Sequence, residues 1–417
     1  MAVDSKRHHA SRAAESDAGG GLHGRDRGRV LIVLPTLEGG GAERFNLELA
    51  DALRRKGWEC TIFCLNRRGP LLQDAAERGI PVQAGSTYQG AKLWKLAIGL
   101  IVGLPRLWRA IRRADVTIAG MDGVATVVAA PLCRLARRPL IAEVQVDLDG
   151  KFARPGMLWR VLAAASRICY PLCARVVGIS DGAAASVRRI GVDVPVTVIE
   201  MAVNSDRIES LAGGGPEDGG VPTVVAVGRL RAQKSYDVLI RAHARARTAV
   251  AHRLLILGDG DERAKLEALV VELDVADTVE MPGFARNPYA AMRSASALCL
   301  SSGYEGMPTV LLEALALGCP VIATDCAEGV RTALGGGAYG ALTPVGDIDK
   351  LATALASHLV DPTPLRQKAA TGLHSVRADH SYEVAADRYL DLIRELREGR
   401  AYRPGIAPIP ANAAPPT

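Results

Sequence analysis

Short apolar runs alternate along this chain with longer stretches in which apolar residues recur at helical spacing. Such alternation is typical of βαβ units, in which parallel strands form a sheet with helices on both faces. In the first half it predicts strands at 29–35, 59–65, 116–119, 140–144, 176–179 and 196–199. In the second half it predicts strands at 223–227, 253–257, 279–281, 298–300 and 321–323. Helices are predicted between them, the first at 42–56 and the last at 383–397.

A glycine-rich segment, residues 213–220, separates the two series of strands and has the composition of a linker. The sequence therefore predicts two Rossmann-like α/β domains and a final helix that could pack on either. Because ligands of open parallel sheets bind beyond the carboxyl ends of the strands, two facing domains would form an interdomain cleft. The predicted segments are a disordered tail at 1–27, an N-terminal domain at 28–204, a linker at 205–221, a C-terminal domain at 222–380, a C-terminal helix at 381–400 and a disordered tail at 401–417.

Composition narrows the class of partner. Hydrophobic residues make up 48% and charged residues 23% of the 417 residues, as in a soluble globular protein. The formal net charge of +6 suits an anionic partner such as a nucleotide, a lipid phosphate or an acidic membrane surface. It is too small to indicate a nucleic acid, and no nucleic-acid-binding motif is present.

The cysteines and the apolar segments indicate the cellular compartment in which the protein is expected. None of the eight cysteines forms a Cys-x-x-Cys pair, which argues against a zinc ribbon or a thioredoxin-like site. Several lie in apolar runs, as Cys299 does, so we expect reduced, buried thiols in a cytoplasmic protein. The first residues lack the apolar core of a signal peptide, and no uninterrupted apolar stretch reaches about 18 residues, so no transmembrane helix is predicted.

The most informative segment is 301–320, which follows an apolar strand of the second half. Gly306 permits a tight turn and Pro308 suits the first position of a helix. The segment Gly306, Met307, Pro308 and Thr309 would then form a helix N-terminus, where amides can bind an anion. Glu305 and Glu313 flank this start and could accept hydrogen bonds from hydroxyl groups. Alternatively, they are ordinary acidic residues favoured by the helix dipole.

A second segment, 227–237, ends the first strand of the second half. It carries Gly228, Arg229 and Lys234. The arginine could bind a diphosphate as a planar fork and the lysine as a point charge. The alternative is a solvated basic loop.

Together with Gly258-Asp-Gly260, Pro282-Gly-Phe284 and Gly318–Asp325, these segments resemble family 4 of the retaining glycosyltransferases, which have the GT-B fold. The resemblance covers most of residues 29–395. It implies that Arg229 and Lys234 hold the donor diphosphate, that Glu305 contacts the donor sugar and that Glu313 binds the ribose. It also places Phe284 and Ala285 beside the base. The N-terminal domain would bind the acceptor and the C-terminal domain the nucleotide sugar.

In the N-terminal half, Gly40, Gly41 and Glu43 follow the first strand. They lack the full G-x-G-x-x-G pattern of a dinucleotide site. The resemblance places this loop in the cleft near the donor phosphates and the acceptor; the alternative is a tight strand–helix turn.

The chain departs from the family after strand 140–144, where many relatives carry a cleft histidine and this chain carries Gln145. Glutamine can hydrogen-bond a sugar hydroxyl but cannot serve as an acid or a base. Either Gln145 replaces the histidine in donor binding, or Glu143 or Asp147, with Asp149 beyond, faces the acceptor instead.

Asp259-Gly-Asp261 resembles the metal-binding Asp-x-Asp of another glycosyltransferase fold. We interpret Asp261 instead as a helix N-cap and predict no metal, because Arg229 and Lys234 would neutralise the leaving diphosphate.

Residues 92–113 are apolar in the middle, carry two tryptophans and are basic at both ends. This pattern suits a helix at a membrane interface, although a buried helix with a basic end would look the same.

The sequence thus predicts a retaining, metal-independent hexosyltransferase without a cofactor, peripheral on the inner face of the membrane. The expected donor is a UDP-linked nucleotide sugar, and the expected acceptor is a polyprenyl-linked or other glycan. The alternatives are a non-catalytic sugar- or nucleotide-binding protein of this fold and a nucleotide-sugar epimerase.

Overall fold

The computed structural model describes residues 27–86, 93–121, 123–146, 148, 152, 156–213 and 220–398, with backbone only at 93–102 and 158. Within these residues the chain forms two parallel sheets of seven and six strands, each covered by helices. This is the GT-B architecture that the sequence predicts. The tails 1–27 and 401–417 fall outside the described residues, apart from Arg27.

The N-terminal sheet has the order β3-β2-β1-β4-β5-β6-β7. Its central strands are apolar on both faces because helices cover both sides, as parallel sheets require. The strands are β1 (Arg29–Leu34), β2 (Glu59–Asn66), β3 (Val82–Ser86), β4 (Val116–Ala119), β5 (Leu140–Val144), β6 (Arg175–Gly178) and β7 (Val196–Val198). The helices are α1 (Gly41–Arg55), α2 (Leu71–Glu77), α3 (Leu93–Arg113), α4 (Val124–Ala136), α5 (Met157–Cys169) and α6 (Asp181–Arg189).

The C-terminal sheet has the order β10-β9-β8-β11-β12-β13. Both sheets therefore reverse their strand order beside the first strand of the domain, and ligands of such sheets bind at this reversal. The strands are β8 (Thr223–Val227), β9 (Arg253–Leu257), β10 (Val279–Gly283), β11 (Ala297–Leu300), β12 (Val321–Thr324) and β13 (Ala341–Thr343). The helices are α7 (Ser205–Ala212), α8 (Tyr236–Ala246), α9 (Arg263–Glu272), α10 (Tyr289–Ser294), α11 (Thr309–Ala316), α12 (Glu328–Ala333), α13 (Ile348–Val360), α14 (Thr363–Asp379) and α15 (Tyr382–Arg397).

Every predicted strand is present, and the structure adds β3 and β13. Both additions are edge strands, and neither reads as a continuous apolar run: β3 is Val-Gln-Ala-Gly-Ser and β13 has only three residues. A sequence pattern built on buried runs misses such strands because an edge strand is only partly covered.

The predicted linker 205–221 needs correction, because its first eight residues form helix α7. Asn204 caps this helix by accepting a hydrogen bond from the backbone N–H of Arg207. The Arg207 side chain then reaches Glu48 of the N-terminal domain at 3.2 Å, while Glu209 pairs with Arg377 of α14 at 2.6 Å. Helix α7 is thus tied to both domains.

Helix α15 settles which domain the end of the chain joins. It packs on α1 of the N-terminal domain, where Glu383 pairs with Arg55 at 2.9 Å and Asp387 with Lys56 at 2.8 Å. A β-bridge between Val203 and Ser381 brings the two crossing segments side by side. The chain therefore crosses between the domains twice at one place.

Candidate active site between the domains

The carboxyl ends of the two sheets face each other, and an ion pair lies at the C-terminal side of the cleft. Lys234 Nζ is 2.6 Å from Glu305 Oε1, with only 19% and 9% of their side chains exposed. Ser302 donates a hydrogen bond to the same carboxylate oxygen at 2.6 Å, and Gln233 donates to the other at 3.4 Å. The sequence predicts this pair of residues in the site, and the structure brings them into direct contact.

Backbone contacts explain why these two loops meet. The N–H of Gly303 donates to the Gln233 carbonyl at 2.9 Å, and Ser301 Oγ donates to the Lys234 carbonyl at 2.8 Å. Gly228 has φ +154°, which favours glycine, and a Cβ on it would approach Lys234 Cε to 3.2 Å. The loop after β8 is therefore fixed against the loop after β11.

Helix α11 begins where the sequence predicts an anion site, with one change of position. Pro308 is the N-cap residue, with ψ 109°, and Thr309 is the first helical residue. No side chain caps the helix. The Leu311 N–H donates to the Pro308 carbonyl at 3.1 Å, so the amides of Thr309 and Val310 are left for another acceptor. Met307 is buried beneath this start. An uncapped helix start of this kind can bind an anion.

The glycine loop of the N-terminal domain lies across the cleft from Arg229. A Cβ on Gly40 would lie 3.4 Å from Arg229 Nη2 and 2.5 Å from Glu43 Oε2. Burial raises the pKa of Glu43. Hydrogen bonds from the backbone N–H groups of Glu43 and Gly40, and the positive charge of Arg229, lower it by a smaller amount. Gly40 thus lets the guanidinium approach the N-terminal domain closely.

The two domains approach each other closely at two further places in the cleft. A Cβ on Gly41 would lie 3.9 Å from Thr309 Oγ1, and one on Gly306 would lie 2.4 Å from the Gln145 carbonyl oxygen. The loop after β5 therefore rests directly on the turn that precedes α11. At Gly306 only a glycine fits without a shift of one of the two loops.

Gln145 reaches the cleft with its backbone, while its side chain turns inward. The side-chain amide is mostly buried, at 8% residue exposure, and donates to Glu143 Oε2 at 3.0 Å. The hypothesis that Glu143 faces the acceptor is wrong, because Glu143 is fully buried. Asp147 and Asp149 lie outside the described residues.

Glu313 occupies the position that the resemblance gives to ribose binding. Burial raises its pKa, while Arg44 of α1 and a hydrogen bond from Tyr289 act in the opposite direction. The Tyr289 hydroxyl donates to Glu313 Oε1 at 3.4 Å. Phe284 follows β10 with 76% of its surface exposed, and Ala285 is half-buried beside it. The exposed ring is available to stack on a flat ligand.

The interpretation of Asp261 as an N-cap is wrong. Helix α9 starts at Arg263, after Glu262, and no side chain caps it. It is Asp259 that accepts hydrogen bonds, from the Gly260 N–H at 2.8 Å and from Arg263 Nε at 2.9 Å. The Asp259 carboxylate therefore serves an internal ion pair, while metal independence stays a prediction.

The eight cysteines carry free thiols, and seven of them are buried. Burial raises the pKa of Cys60 and of Cys299 to about 12, so these thiols stay protonated at neutral pH.

Four residues of the site are not predicted from the sequence: Ser302, Gln233, Tyr289 and Arg44. Gln233 precedes Lys234, and Ser302 lies three residues before Glu305. This proximity in sequence is the signal that could have identified them. Tyr289 and Arg44 reach Glu313 from other helices, and no local pattern connects them.

Similarity to known proteins agrees with this geometry. Residues 39–207 match the family described as Glycosyltransferase Family 4, and residues 209–372 match the family described as Glycosyl transferases group 1. The two matches cover both domains almost without a gap. The chain belongs to the group 1 glycosyltransferases of the GT-B fold.

Curated relatives of this glycosyltransferase come from several bacteria. It is 36% identical over 138 residues to a Campylobacter jejuni N-acetylgalactosamine-N,N'-diacetylbacillosaminyl-diphospho-undecaprenol 4-alpha-N-acetylgalactosaminyltransferase, covering 33% of this chain and 37% of that protein. It is 33% identical over 150 residues to the Escherichia coli lipopolysaccharide 1,6-galactosyltransferase, covering 34% and 41%. These matches thus span less than half the length of either relative.

Solved structures show the same fold at low identity. Anabaena Alr3699/HepE in complex with UDP superimposes with a TM-score of 0.75 at 18% identity, covering 88% of this chain and all of that one. Sucrose-phosphate synthase from Thermosynechococcus elongatus gives 0.74 at 20% identity, covering 89% and 100%.

Proposed function

We propose that this glycosyltransferase moves a hexose-type sugar from a nucleotide diphosphate donor to a hydroxyl group, with retention at the anomeric carbon. The observation that carries the proposal is the convergence of three features on one side of the cleft. These are the Lys234–Glu305 pair, the guanidinium of Arg229 and the uncapped start of α11. Each has the charge or the donors that a departing diphosphate needs.

In the proposed reaction the bond between the sugar C1 and the diphosphate oxygen breaks as the acceptor oxygen bonds to C1 on the same face. The acceptor proton passes to an oxygen of the leaving diphosphate. Lys234, Arg229 and the first amides of α11 stabilise the charge that develops there. We expect these fixed charges and amides to make the largest contribution to transition-state stabilisation, because they need not reorient during the reaction.

Glu305 has a separate role in this proposal. Its oxygens accept from Lys234, Ser302 and Gln233, which hold the carboxylate in one orientation. Each carboxylate oxygen has two lone pairs, so capacity remains for a hydroxyl of the donor sugar. Glu305 would thereby position the sugar, and Glu313 the ribose.

A uridine diphosphate donor is favoured by one neighbouring structure. Alr3699/HepE has been solved with UDP-glucose, at a TM-score of 0.73 and 18% identity. The exposed ring of Phe284 beside Ala285 offers a stacking surface for the base. The nucleotide sugar would be a substrate, so no cofactor is proposed.

A lipid-linked acceptor is favoured by the outer surface of the N-terminal domain. Helices α3, α4 and α5 pack side by side, and none of the three contains an acidic residue. Their exposed faces combine arginines with large apolar side chains. Among the residues whose side chains the structure describes, the exposed arginines and large apolar residues are Arg106, Arg109, Arg112, Arg113, Val124, Arg134, Leu135, Met157, Arg160, Val161, Arg167 and Ile168.

Such a surface suits the headgroup region of an anionic bilayer. We therefore extend the predicted membrane segment 92–113 to α4 and α5. The N-terminal ends of α4 and α5 follow strands β4 and β5, at the cleft edge of the sheet. A docked enzyme would hold this edge near the bilayer, on the inner face of the cytoplasmic membrane. No helix in the described part of the chain has the length and apolarity to cross a bilayer.

A donor screen tests the function. Purified protein is melted with a panel of nucleotide sugars, and the true donor should raise the melting temperature, because saturation at about 100 Kd adds about 2.7 kcal/mol. The selected donor is then incubated with short polyprenyl-linked acceptors, and the product's anomeric configuration is read by NMR. Release of free epimerised sugar would support an epimerase, and binding without turnover would support a non-catalytic protein.

A further inference from the structure

A buried carboxylate lies beneath the N-terminal side of the cleft, outside the residues assigned to donor binding. Glu143 is the penultimate residue of strand β5 and has no exposed surface. It accepts hydrogen bonds from Tyr389 at 2.6 Å, from Asn46 at 2.7 Å and from Gln145 at 3.0 Å. These three donors are neutral side chains on three different segments of the chain. Burying a carboxylate is costly, and each donor is therefore needed.

Each donor belongs to a different element, and two of them shape the cleft. Asn46 lies on α1 and also donates to the Ala42 carbonyl at 3.1 Å, which ties the first turn behind the Gly40–Gly41 loop. Gln145 belongs to the loop whose carbonyl oxygen rests on Gly306. Glu143 therefore connects both N-terminal loops that meet the donor side.

The third donor comes from the end of the chain. Tyr389 is fully buried on α15, 246 residues away from Glu143 in sequence. Helix α15 packs on α1 after the chain has crossed back from the C-terminal domain. Through Tyr389, the orientation of Glu143 therefore depends on how helix α15 packs on α1.

We propose that Glu143 and Tyr389 are positioning residues for the transfer reaction. Tyr389 orients Glu143, which in turn orients the Gln145 loop against Gly306 and the α1 start against Arg229. Neither residue touches the donor. This inference rests on the proposed function only in that transfer is the reaction being positioned.

The test compares Tyr389→Phe with Ile393→Val. Each change removes one heavy atom from a fully buried side chain of α15, but only the first removes a donor from Glu143. We expect Tyr389→Phe to lower kcat about tenfold, as the loss of a hydrogen bond to a charged group would. The donor KM should stay within about twofold because the donor contacts lie in the other domain. Ile393→Val should lower the melting temperature and leave kcat unchanged.

Amide hydrogen exchange gives a readout that does not require activity. Tyr389→Phe should speed exchange in residues 44–48 and 143–146, whereas Ile393→Val should speed it only in α15. If the wild-type protein transfers no sugar, the proposed function fails while exchange still decides the positioning role. Equal exchange patterns in the two variants, or an unchanged kcat in Tyr389→Phe, would overturn the inference.

Discussion

The contact between Gly306 and the Gln145 carbonyl allows a sharp test of domain closure. In Gly306→Ala the new Cβ would lie 2.4 Å from that oxygen and 3.4 Å from its carbon. Ordinary contact begins near 3.4 Å, so one loop must withdraw by about 1 Å. Both neighbours are backbone atoms, which cannot rotate away as the end of a flexible side chain can.

A displacement of about 1 Å in a reacting geometry can cost about 100-fold in rate. We therefore expect kcat/KM of Gly306→Ala to fall about 100-fold. Nucleotide affinity should fall by less than kcat/KM does, because Arg229, Lys234 and Glu313 are left in place. Steady-state kinetics gives the first quantity, and isothermal titration with UDP gives the second.

Gly303→Ala is the matched control in the same loop. Its Cβ would lie 3.5 Å from Ser235 Oγ, which is ordinary contact, and its backbone bond to Gln233 is kept. We expect activity within about threefold of wild type, as for a substitution that meets no crowding. If both alanine variants retained equal activity, closure through Gly306 would not be required for transfer.

Three other predictions concern the ion pair, the base and stability. Lys234→Ala and Glu305→Ala should each lower kcat by about 100-fold or more while circular dichroism stays native; near-wild-type turnover in both would contradict the site. Phe284→Ala should raise the donor KM several-fold with little change in kcat or melting temperature, since its ring is exposed; an unchanged KM would place the base elsewhere. Burial and the neighbouring His252 lower the pKa of His243 to about 3 in the folded protein. As the pH is lowered from about 6.5, the unfolded chain therefore binds a proton that the folded protein does not, and the melting temperature should decrease. His243→Gln should flatten this fall between pH 7 and pH 5, and an identical pH profile would assign the loss to other groups.

Much of the site could be predicted because its parts are local in sequence. Lys234, Glu305 and the start of α11 each follow a strand, and residues after parallel strands meet at one edge of a sheet. Pro308 and Asp261 were misplaced within their turns because the exact start of a helix depends on caps that spacing alone does not fix.

The N-terminal half shows where sequence reasoning stops. Gln145 was expected to offer its side chain to the donor, yet its backbone makes the cleft contact and its amide turns to Glu143. Both orientations are compatible with the same letters after the same strand. Packing decided between them, because Asn46 and Tyr389 come from helices that the strand's own sequence cannot specify.

The sequence by itself determined the two series of strands, and with them the two sheets, because apolar periodicity is a property of neighbouring residues. It also determined the chemistry available at the strand ends. Only the tertiary structure decided which groups face one another across the cleft. Contacts such as Tyr389 with Glu143 join residues 246 positions apart, and such pairs are selected by the packing of whole domains.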